Sequence, residues 1–69
     1  MSLFEEIAFA TSVLNDTGNT PDLLIIDKEM ERRFHLDGDI PKSIDVSDAF
    51  DIEVLVVGKL DKFRLLKEL

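Results

Sequence analysis

Nothing in this chain can cross-link it. Its 69 residues include no cysteine and a single histidine, His35. That rules out disulfides, cysteine-ligated zinc or iron–sulfur sites, and any multi-histidine metal centre within one copy. A chain this short buries only about 60% of the surface its unfolded form exposes. Small domains commonly make up the shortfall with a disulfide, a metal or a second chain. Association is the option left. The sequence therefore predicts one domain over residues 1–69 that completes itself against another surface, a second copy (a dimer) first of all. An apolar content of 45% is enough for a core and a buried interface.

Residues 2–15 carry the clearest local signal. Ser2 and Glu5 have the spacing of a capping box, in which hydroxyl and carboxylate each satisfy a free backbone N–H. Phe4, Ile7, Ala8, Thr11 and Leu14 then fall on one helical face. Asn15 to Asn19 end the helix, with Gly18 suited to the left-handed conformation. Residues 20–36 are harder. Thr20-Pro21-Asp22 reads as a helix start, and Leu23, Ile26, Met30 and Phe34 come next at steps of three and four. The run Leu23-Leu24-Ile25-Ile26 also suits a short buried strand, with Met30, Arg32, Phe34 and Leu36 alternating on a second. The start signal and the spacing agree, which favours a helix.

Beyond the turn at residues 37–41 the period changes. Ile44 and Val46 alternate with Ser43, Asp45 and Ser47, and Phe50, Ile52, Val54 and Val56 alternate with Asp51, Glu53 and Leu55, which argues for strands. The expected pairing is a hairpin of residues 42–46 and 51–57 across a turn at 47–50. After Gly58, Leu60, Phe63, Leu66 and Leu69 recur every third residue, the pattern of a short helix; a hairpin return through residues 58–61 is the rival. The predicted architecture is thus α+β: two N-terminal helices, a short antiparallel β-hairpin near residues 42–57 and a short C-terminal helix. Its core would hold Phe4, Ile7, Leu14, Ile26, Met30, Phe34, Ile52, Val54, Val56 and Phe63.

Charge is sorted along the chain. Residues 37–53 hold six carboxylates against Lys42 alone, most of the net −7, whereas the last twelve residues are net +2. Nucleic-acid binding is driven mainly by Lys and Arg displacing counterions, so direct binding to DNA or RNA is not expected. The outline of two helices and a hairpin resembles a winged helix, but Arg32 and Arg33 alone make a thin recognition footprint. No membrane partner is expected either. The N-terminus lacks a basic n-region, and the longest apolar runs, residues 23–26 and 54–57, are far shorter than the roughly 20 residues that span a bilayer. A cytoplasmic setting is the default.

Chemistry finds little material. A helix over residues 20–36 would stack Asp27, Glu31 and His35 on one face. The di-metal bundle signature, however, needs Glu three residues before His, and Arg32 stands there. A salt-bridged solvated face is the simpler reading. The acidic segment fails as a calcium loop whether it starts at Asp37 or at Asp45, because Lys42 or Phe50 stands where glycine is required. Ser2, Ser12, Ser43 and Ser47 lack a glycine-flanked elbow, and Thr17-Gly18-Asn19-Thr20 lacks a phosphate loop's lysine. No catalytic residue, cofactor or metal is expected. What remains is the acidic run: a solvated face that keeps a small protein soluble, or a surface that docks on a basic groove. The functional expectation is a non-enzymatic accessory or regulatory module that binds a protein with a basic surface, with Asp45, Asp48, Asp51 and Glu53 steering association. The alternatives are a phage-type inhibitor mimicking nucleic acid and a structural virion or tail-assembly component.

Overall fold

The computed structural model describes residues 1–67. The N-terminal helix α1 spans Leu3–Asp16. Ser2 caps it: the Glu5 amide donates to Ser2 Oγ at 3.2 Å, and the Ser2 amide donates to Glu5 Oε1 at 3.4 Å. Gly18, at φ 79°, closes its other end, where the Asn19 and Gly18 amides return to the Leu14 and Asn15 carbonyls.

Residues 20–36 divide where the sequence predicts one helix. β1 (Leu23–Asp27) runs into α2 (Lys28–Leu36) with no loop between them. The strand reading thus holds for residues 23–26, and the helix reading holds for residues 28–36. A helix would have buried one stripe of Leu23-Leu24-Ile25-Ile26 and left the rest in water. As a central strand the run buries Leu24 and Ile26 completely and Leu23 and Ile25 in part. Asp27 starts the helix in place of Thr20, its Oδ1 accepting from the Met30 amide at 2.8 Å.

The expected hairpin does not form. Residues 42–46 are no strand: a turn leads into α3, Val46–Phe50, and then into β2, Glu53–Val57. Only Val46 of the alternating pair is buried, while Ile44 is 40% exposed. β2 pairs with β1, and in parallel, with Leu24 opposite Val54 and Ile26 opposite Val56. The crossover consists of α2, its turn and α3, which is the long connection that parallel strands require. Nor is there a helix in the described part of the C-terminal segment. β3, Arg64–Leu66, lies antiparallel to β1 with Leu24 opposite Leu65; Leu69 lies outside the described residues. The period of two holds where Phe63 and Leu65 pack against the core and Arg64 and Leu66 face out. The rival hairpin through residues 58–61 does not form either: a strand does return after Gly58, but it pairs with β1 and not with β2. The sheet order is β2-β1-β3.

The fold is α+β, with three helices on one face of a small mixed sheet. Ile7, Leu24, Ile26, Phe34, Ile40 and Val46 form the buried cluster, with Phe4, Met30, Ile52, Val54, Val56 and Phe63 packed against it. Leu14, expected in the core, is only half-buried. Three rings tie the helices together. Phe4 of α1 stacks on Phe50 of α3 at 4.8 Å, and both meet Phe34 of α2 edge-on, at 6.4 and 5.8 Å. No helix among the described residues is long and apolar enough to cross a membrane.

Candidate functional site

The acidic residues singled out by sequence cluster around α3. Asp45 is its N-cap residue, extended at φ −74° and ψ 150°, yet its side chain makes no capping hydrogen bond. Asp48 is exposed in the first turn of α3, Asp51 ends the helix in the left-handed conformation at φ 53°, and Glu53 opens β2. Among the described residues, none of the four side chains enters an ion pair or hydrogen bond, whereas Arg32 pairs with Glu29 at 3.5 Å. Four like charges within nine residues, with no internal partner, repel one another. This is a surface whose electrostatics point outward.

Asp51 also borders a recess. Between α1, Pro21 and the α3–β2 turn lies a groove of about 220 Å³, floored by Ile7, Pro21, Phe50, Ile52 and Leu65. Thr11, Asn15, Thr20 and Asp51 supply polar groups to it. An apolar floor beneath a carboxylate suits the aliphatic stem and charged head of a lysine or arginine from another molecule. Sequence reading found the carboxylates but not the groove. Thr11, Asn15, Pro21 and Asp51 come from four separate places in the chain, and no local pattern joins them.

Asp51 itself makes a structural prediction. A left-handed conformation suits aspartate and asparagine and penalises a β-branched residue. Asp51→Val is expected to lower unfolding free energy by about 1–2 kcal/mol, whereas Asp51→Asn leaves the melting temperature unchanged. Denaturant titration of the two variants checks this, and equal losses would mean that the left-handed turn does not form.

The trio Asp27, Glu31 and His35 does not assemble. Asp27 lies outside the helix as its cap, and its Oδ2 accepts from the Leu60 amide at 2.9 Å. His35 Nδ1 lies 3.1 Å from the Ile40 carbonyl oxygen, tying the end of α2 to the turn after it. Among the described residues no group of three or more His, Cys, Asp or Glu side chains could hold a metal ion. Asp27 is the group that sequence reading misassigned, and it works as a clamp. The Leu60 N–H foremost, then the Met30 N–H, holds its carboxyl below the ordinary range; burial opposes this, and the Glu29 N–H and Lys59 charge add to it.

The positive counterpart lies after β2, where Lys59 and Lys62 of the β2–β3 loop and Arg64 of β3 line an open recess with Leu60, Asp61 and Phe63. The Lys62 ammonium is 5.7 Å from the centre of the Phe63 ring. Acids cluster around α3 and the start of β2, and bases gather after its end. No protein-family model matches the chain, and no curated protein or solved structure matches it.

Proposed function

We propose that this protein is a non-enzymatic binding module that occupies the basic surface of a partner protein, with Asp45, Asp48, Asp51 and Glu53 steering the approach. The observation that carries this reading is that all four carboxylates are exposed and unpartnered among the described residues. A charge kept only for solubility needs no arrangement, whereas these four line one short helix and the strand beside it. The groove under Asp51 supports the reading by offering an anchor for one basic side chain. Long-range attraction raises encounter rates, and the anchored side chain slows escape.

Immobilised wild-type protein and the neutralised variant Asp45→Asn/Asp48→Asn/Asp51→Asn/Glu53→Gln, exposed to the same native extract, provide the test. The substitutions keep shape, and asparagine suits the conformation at position 51. Proteins with basic surfaces are expected on the wild type and depleted at least about tenfold on the variant. Equal recovery on both would discard the reading. Release of the captured protein by duplex DNA would favour the nucleic-acid mimic over a general docking module.

A further inference from the structure

The sheet has a second face. With Leu24, Ile26, Val54, Val56 and Leu65 turned to the helices, strand alternation sends Leu23 and Ile25 of β1, Leu55 and Val57 of β2 and Leu66 of β3 to the other side. Leu55 is 49% and Leu66 44% exposed there. Apart from one charged residue at an end of each, Asp27, Glu53 and Arg64, the strands nonetheless read as apolar runs, the composition of strands buried on both faces rather than of a sheet with one wet side.

We infer that this open face is where a second copy of the chain docks, sheet against sheet, about a two-fold axis running along the strands. The register gives two complete rows across the face, beyond which Val57 lies beside Asp27, whose carboxylate is taken up by the Leu60 amide. Glu53, Leu23 and Leu66 form one, and Leu55, Ile25 and Arg64 the other. Each row is apolar except at one end, and the two charged ends lie on opposite edge strands and have opposite sign. A two-fold axis along β1 places β2 of one copy over β3 of the other. Glu53 then faces Leu66 of the second copy and lies one two-residue step, about 7 Å, along the strand from Arg64 there, across the roughly 10 Å between packed sheets, a diagonal that the glutamate and arginine side chains span together. The same pairing occurs twice by symmetry. Leu23, Ile25, Leu55 and Leu66 meet between the sheets. An axis across the strands would instead place β2 over β2 and β3 over β3, leaving Glu53 and Arg64 of the two copies two strand spacings, about 10 Å, apart sideways. The charges thus favour a second copy of this chain with its axis along the strands.

The prediction is a dimer that dissociates on dilution, read by sedimentation equilibrium from about 10 μM to about 1 mM, the range of a small interface. Leu55→Lys should weaken association at least about tenfold, and Glu53→Arg or Arg64→Glu alone should weaken it by a similar factor. The double swap Glu53→Arg/Arg64→Glu should restore it, and repeating the docking test with Asp45→Asn/Asp48→Asn/Asp51→Asn, which leaves Glu53 and the sheet face untouched, lets the two ideas fail separately. A dilution series on the wild type, tracked by methyl NMR, needs no variant to fold and should move the signals of Leu23, Ile25, Leu55 and Leu66. A monomer at every concentration overturns the inference. So does a dimer unaffected by Leu55→Lys, or one whose dilution shifts map to α1.

Discussion

Truncating Phe34 to alanine is expected to cost about 3–5 kcal/mol and to leave little folded protein at 37 °C. Phe34 is 1% exposed, and its ring closes the aromatic contacts between α1, α2 and α3. The loss therefore combines burial, a cavity and two ring–ring contacts. Total stability for 69 residues is roughly 3–10 kcal/mol at the usual value per residue, so this single change removes a large part of it. Phe9 is the control: it is 63% exposed on α1, and Phe9→Ala should change stability by under about 0.5 kcal/mol. Urea titration of both variants checks the contrast. A cost for Phe34→Ala below about 1 kcal/mol would show that the three helices do not converge on that ring.

The second large effect belongs to Asp27. Its carboxylate caps α2 through the Met30 amide and holds the β2–β3 loop through the Leu60 amide. Asp27→Ala removes both acceptors, frays the helix start and releases the loop on which Lys59 and Lys62 are carried. A fall in melting temperature of about 10 °C or more is expected. The direction of the shift sets the pH dependence. The folded carboxyl is held below its ordinary value, so its stabilising contribution is fully present above the unfolded value of about 3.9 and is lost as pH falls through the lower folded value. The difference in melting temperature between wild type and Asp27→Asn should be largest near neutrality and shrink below about pH 4. A difference independent of pH would mean that the two amides do not recognise the charge of Asp27.

These two residues also show how far the sequence could be read. Phe34 belongs to the core in either reading of residues 20–36, because both bury it, and the Ser2–Glu5 capping box specifies α1 locally. Asp27 was out of reach for a different reason. Its role depends on Leu60, thirty-three residues away, and on a strand that passes directly into a helix, while Thr20-Pro21-Asp22 offers a stronger local start signal. The hairpin failed similarly. Ile44 and Val46 alternate as strand residues do, but the competition was settled by the parallel edge of β1, which no local pattern reveals. The carboxylates at 45, 48, 51 and 53 were legible as charge. That they surround α3 and border a groove was not, since the groove draws on α1 and Pro21 as well.

The most direct trial of contact as the mode of action is kinetic. The basic protein captured by the wild type should be mixed in stopped flow with wild-type and four-fold neutralised protein across a range of salt. We expect a wild-type association rate that exceeds the variant's by about tenfold or more at low ionic strength and converges with it as the Debye length shrinks to about 3 Å near 1 M salt. Identical rates at low salt would contradict the account.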